Sequence, residues 1–82
     1  MEQAKIFEQV IAILKPFTKA PELLESAKME TSILRDLKVN SARLVDVVLE
    51  IEDRFGIEVK DEEADKVRTI GDAVNLILAH AA

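Results

Sequence analysis

The 82 residues contain no cysteine, tryptophan or tyrosine, and only two glycines, two prolines and three phenylalanines. Without cysteine there is no disulfide framework, no thiolate nucleophile and no cysteine-ligated metal. So few turn residues and aromatics argue against a small β-barrel or sandwich, which needs frequent turns. The single histidine, His80, lies near the C-terminus and reads as a solvated tail residue. One histidine and no cysteine supply neither a zinc ligand set nor a nucleophile–base pair. The carboxylates of "KDEEAD" lack the spacing and central glycine of a calcium loop, and no glycine-rich phosphate loop is present. These absences point away from catalysis, toward binding or carrying, with no metal. The apolar run "VIAIL" is far too short to span a bilayer, and "MEQAKIFEQV" has no apolar signal core. A soluble cytoplasmic chain with no stable membrane insertion is the expectation. Cationic side chains are in the minority, with a net charge of -5. That disfavours nucleic acid, whose phosphates call for a basic surface.

Apolar residues make up 49% of the chain, enough for one small core. Abundant Ala, Leu, Ile, Glu and Lys favour helices. A single domain over residues 1–82 follows from the length. Residues Glu2 to Lys15 place Ala4, Phe7, Val10, Ile11 and Leu14 on one face of a helix, which Pro16 ends. Phe17 to Asn40 is a long link, with a weakly helical patch at "PELLESAK". It is expected to cross from one end of the domain to the other. Ile33, Leu34, Leu37 and Val39 are expected to fold back onto the core. Asn40-Ser41 can cap the next helix, whose stripe is Leu44, Val47, Val48, Ile51 and Phe55, with Gly56 as its stop. Asp61 is expected to cap a short helical turn. Thr69 and Asp72 have the spacing of a capping box before a last apolar face of Ile70, Ala73, Val74, Ile77 and Leu78. The pattern predicts an all-α fold, a small antiparallel bundle of three longer helices and one short one, with a long first loop.

The acidity is local. Residues 41–65 hold nine acidic and three basic side chains, a net of -6, so the remainder sums to about +1. Beside the core stripe of the middle helix runs a second line, Ala42, Val45 and Leu49, next to Asp46, Glu52 and Asp53. Exposed apolar residues framed by carboxylates suit docking onto basic, partly apolar surfaces.

The order of these features resembles the acyl carrier protein family over essentially the whole chain. The match is strongest from Ile33 to Ile77, through "D-L-x-x-[DN]-S" and "FGIEVKDEEADKVRTIGDAV". The resemblance implies a four-helix bundle with a long first loop and a non-catalytic carrier. It implies acyl groups held as thioesters on a 4'-phosphopantetheine arm, taken from coenzyme A and joined to Ser41. Fatty acid, lipid or polyketide-type synthesis is the implied setting. The implied partners are a phosphopantetheinyl transferase and enzymes of the acyl-carrier synthetase, ketoacyl synthase or acyltransferase type, met by a monomer. Asn40, Ala42, Val45, Asp46, Leu49, Glu52 and Asp53 fall on implied docking positions. Ile33, Leu44, Val47, Val48, Ile51, Val67 and Ala73 fall where the interior would shelter an acyl chain. The family's usual Asp-Ser-Leu is here Asn40-Ser41-Ala42, and Arg43 stands where an acidic residue is commoner, which suits a specialised member. The alternatives are an interaction module without the arm, or an aminoacyl or peptidyl carrier.

Overall fold

In the computed structural model, residues 3–81 are described; the expected helix start at Glu2 lies outside them. We label the elements α1 (Gln3–Leu14), α2 (Pro21–Ser26, a single 3-10 stretch), α3 (Ser41–Phe55), α4 (Asp61–Ala64) and α5 (Ile70–Ala81). No strand occurs among the described residues, only two isolated antiparallel bridges, Thr18 with Val39 and Ser32 with Thr69. Among the described residues, no helix is long and apolar enough to cross a membrane.

The first helix buries a different row from the expected one. Ile6, Val10, Ile13 and Leu14 are buried, while Phe7 and Ile11 pack at the core margin and Ala4 is exposed. Both rows share Val10 and Leu14, and periodicity allows either; packing against the neighbouring helices turns Ile6 and Ile13 inward. This helix packs mainly on α5, whose Ile70, Ala73, Val74 and Ile77 are wholly buried, and to a lesser extent on α3. Val47, Val48 and Ile51 of α3 close the core. No polar or charged side chain is buried among the described residues.

The long link does not cross the domain; it goes out and comes back. Its two ends meet at the Thr18–Val39 bridge, where the Thr18 hydroxyl also donates to the Leu37 carbonyl. Between them it visits the first turns of α1, where Lys28 and Met29 share a groove with Ala4 and Phe7. The helix α1 thus ends where α3 begins, and α3 runs back along it. Ile33, Leu37 and Val39 are buried as expected. Leu34 is not: it is 38% exposed. One helical turn spans Ser32 to Asp36, closed by Asp36 N–H to the Ser32 carbonyl at 3.0 Å. Ile33 and Leu37 are four apart on it and share the inner face; Leu34 faces outward.

The helix ends follow local chemistry. Asn40 Oδ1 accepts from the Ala42 N–H at 2.8 Å and caps α3, so Ser41 is the first helical residue and not the cap. Gly56 ends α3 in the left-handed region at φ 63°, which a residue without Cβ enters freely. In α4 the expected cap moves by one: Lys60 precedes the helix and Asp61 is its first residue. Glu63 Oε1 accepts from the Lys60 N–H at 3.1 Å. Ahead of α5, Thr69 and Asp72 form the expected reciprocal box, with bonds of 3.0 and 3.1 Å.

Asp72 also accepts from the Arg68 N–H at 3.0 Å. Partial burial pushes its pKa up, but the Arg68 and Thr69 N–H groups and the Thr69 hydroxyl outweigh it and hold the carboxyl below its ordinary value. A folded-state pKa below the unfolded one adds stability that is present above the unfolded value, about 4. It is lost as pH falls through the folded one. Thermal melts should therefore show Asp72→Asn less stable than wild type at neutral pH, with the gap closing as pH drops below about 4. A gap that widens with acidification would contradict this.

His80 is not a free tail residue. Its Nε2 lies 3.0 Å from Glu63 Oε2, tying the last turn of α5 to α4. The Lys60 N–H, and then His80, hold the Glu63 carboxyl below its usual range.

Candidate functional site

Ser41 is exposed at the first turn of α3. Asn40 does the capping, which leaves the Ser41 hydroxyl out of the cap and facing outward. Asn40→Ala should cost about 1 kcal/mol. It should lower the melting temperature by about 4–8 °C. Asn40→Asp keeps the acceptor and should stay close to wild type; equal losses for both variants would show that the cap is not what matters.

The serine is held from three directions. Arg43, in the first turn of α3, lies over the Phe17 ring at 5.2 Å, which ties the helix start to the segment just after α1. Val39, two residues before Ser41, is pinned by the bridge to Thr18. On the other side, the Ile33 N–H donates to the Arg68 carbonyl at 2.9 Å, and Ile70 N–H donates to Thr31 at 3.0 Å. The link, α3 and the segment after α4 thereby border a cleft of about 490 Å³, with Ser41 among the residues that line it. Leu44, Val48 and Val67 form its aliphatic floor.

The expected site residues divide by place. Of the seven interior positions, Leu44, Val48 and Val67 line this cleft. Ile33, Val47, Ile51 and Ala73 lie deeper, each at most 1% exposed within the closed core. Of the docking positions, Val45 and Leu49 are 64% and 55% exposed, unusual for large aliphatics, and Asn40, Ala42, Asp46 and Asp53 are exposed beside them. Asp46 lies 3.9 Å from Arg43, so part of its charge is offset within the helix. Glu52 differs from the rest: its Oε2 accepts from the Val59 N–H at 2.8 Å, so it binds the segment after Gly56 back onto α3. Sequence reasoning passed over Arg35, Asp65 and Arg68 in the cleft wall. The only signal was two cations flanking a mostly acidic region, and their meeting depends on tertiary pairing.

A serine displayed on a fixed helix start, beside a cleft with an aliphatic floor, suits the covalent carrying of a group with an aliphatic tail. This is the work of a carrier domain. Comparison with known proteins narrows the class. A family model described as a phosphopantetheine attachment site matches residues 8–77. An acyl carrier protein of Lactobacillus acidophilus is 34% identical over 80 residues, covering 98% of each chain. One from Coprothermobacter proteolyticus is 38% identical over 77 residues, covering 94% of this chain and 92% of that one. The crystal structure of an acyl carrier protein from Thermotoga maritima superposes with a TM-score of 0.81 at 26% identity, covering 99% of this chain and 92% of that one.

The chain belongs to the acyl carrier protein family. It is a non-catalytic carrier whose cofactor is 4'-phosphopantetheine, and the arm-free reading is not favoured. The family works with synthesis enzymes. The residues present fit the group: the hydroxyl is accessible, the helix start offers its positive end to a phosphate, and the neighbouring floor is aliphatic.

Proposed function

We propose that Ser41 bears the arm and that the exposed face of α3 presents the loaded carrier to its partners. The observation that supports the first part is the division of labour at the helix start. The Asn40 side chain takes the Ala42 N–H, so the Ser41 oxygen is not needed for the cap and is accessible. The arm supplies the thiol that holds cargo, so the chain needs no cysteine of its own. What the protein supplies is position. Ser41 is fixed by the Asn40 cap, by the bridge at Val39 and by the stacking of Arg43 on Phe17. The positive end of the α3 dipole at this helix start favours the charge of an attached phosphate.

Docking rests on Val45 and Leu49 with Asp46 and Asp53 around them, and on Asn40 and Ala42 next to the serine. Basic partner surfaces suit this face: a phosphopantetheinyl transferase first, then enzymes of the synthetase, ketoacyl synthase and acyltransferase type, approached by a cytoplasmic monomer. Ala42 and Arg43 make its upper end smaller and less acidic than the usual Asp-Ser-Leu collar, which favours dedicated partners. An acyl tail would first meet Leu44, Val48 and Val67. Deeper entry requires Ile33, Val47, Ile51 and Ala73 to part, at a gain of about 0.8 kcal/mol per buried methylene.

The test is intact mass after incubation with coenzyme A and a phosphopantetheinyl transferase. Wild type should gain one arm and Ser41→Ala none. A gain on Ser41→Ala, or none on wild type with the transferase of its own host, would overturn the assignment.

A further inference from the structure

The cleft beside Ser41 is not purely aliphatic. Arg35 and Arg68 line it together with the floor residues Leu44, Val48 and Val67. The backbones that bear them are joined, by the Ile33 N–H to Arg68 carbonyl bond at 2.9 Å and by the Ser32–Thr69 bridge. Two arginines on neighbouring backbone segments thus line one cleft in a protein of net charge -5. Neither makes an ion pair within 4.0 Å among the described residues, although many carboxylates are available. Asp65 shares the lining but is not bonded to either, so the ionisable side chains there sum to one positive charge, two cations against one anion. Like charges sharing one cleft repel, and an anion between them removes that repulsion. A guanidinium pair over an aliphatic floor is complementary to an amphiphilic anion: methylenes below and a carboxylate above.

We propose that this cleft selects cargo whose far end is a carboxylate, with Arg35 and Arg68 holding the charge and Leu44, Val48 and Val67 holding the methylenes. This rests on Ser41 as the attachment point, since Ser41 lines the cleft. A methyl-ended chain of the same length would find the same floor but would leave both guanidiniums without a partner. The selection is electrostatic at a partly open site, so it weakens as salt rises.

The experiment uses the full chain, loaded in turn with the bare arm, a pentanoyl group and a glutaryl group, which differ at the far end by a methyl against a carboxylate. Loading is checked by intact mass. Backbone amide spectra are then compared for wild type and the Arg35→Gln, Arg68→Gln double variant. Both side chains are exposed, and Arg68 makes its fold-holding bonds through its backbone, so the variant is expected to fold; its bare-arm spectrum verifies this. The expected result is a set of glutaryl-specific shifts at Leu44, Val48, Val67 and the two arginine positions, reduced at high salt and lost in the double variant. Equal shifts for pentanoyl and glutaryl would overturn the proposal. So would arginine-dependent shifts already present with the bare arm, which would assign the guanidiniums to the arm's own phosphate. A chain that takes up no arm fails at the mass check, which overturns the Ser41 assignment and this inference together; failure at the spectra overturns only the inference.

Discussion

Leu37→Ala should destabilise the fold by about 2–5 kcal/mol, whereas Leu34→Ala, three residues earlier, should cost no more than about 1 kcal/mol. Both are leucines in the same link, and hydropathy does not separate them. Leu37 is fully buried and Leu34 is 38% exposed. Truncating Leu37 removes its transfer free energy and leaves a cavity lined by groups that cannot all relax, since Ile33 and Val39 are fixed by backbone bonds to each other and to Arg68. Domains have roughly 0.05–0.15 kcal/mol of stability per residue, so a chain this short has about 4–12 kcal/mol to lose. The single change should consume a large part of that and lower the melting temperature by about 10 °C or more. It should also loosen the approach to Ser41, because the Thr18 hydroxyl is bonded to the Leu37 carbonyl just before the helix starts. Chemical denaturation of the two variants side by side checks this. Similar midpoints would mean that the link is not anchored through Leu37.

The second large effect is expected at Gly71, where two principles oppose each other. Replacing a helical glycine by alanine ordinarily stabilises by up to about 1 kcal/mol. Gly71 is in the first turn of α5, and its N–H donates to the Met29 carbonyl at 2.7 Å. A Cβ at this position would come within 2.8 Å of that same carbonyl oxygen and 3.4 Å of the Met29 Cβ. The obstacle is backbone, so no rotamer change relieves it. Either the bond lengthens or the link is pushed off α5. Overpacking of this kind costs about 1–3 kcal/mol, which exceeds the propensity gain. Gly71→Ala should therefore lower the melting temperature, and Gly71→Val should lower it further. Asn75→Ala, on an exposed position of the same helix, should leave it unchanged or raise it. A stabilised Gly71→Ala would show that the contact with Met29 yields easily.

Much of the fold was legible because its signals are local. The Asn40 cap, the Gly56 stop and the Thr69–Asp72 box each depend on residues within four positions of one another, and all three are present. The exposure of Val45 and Leu49 was legible for the same reason: they lie about one helix period from each other, and each is one position past the stripe residues Leu44 and Val48. What was not legible depends on partners far along the chain. In an apolar helix such as α1, periodicity alone allows the Ala4 row and the Ile6 row alike, and only packing against α5 chooses between them. The return of the link is decided by Thr18 meeting Val39. The bond from the Val59 N–H gives the Glu52 carboxylate a bracing role that its place on the helix does not announce. The cationic cleft wall needs Ile33 to meet Arg68, 35 positions later, and no local pattern announces that.

The bridges from Thr18 to Val39 and from Ser32 to Thr69 have a consequence for when the site exists. Arg35 and Ser41 are neighbours in sequence, but Arg68 belongs to a distant stretch that reaches them only when the Ser32–Thr69 contact closes. An unfolded or half-made chain has the serine but not its surroundings. Any partner that reads the collar as a whole is therefore reading completed folding, and quality control is built into recognition.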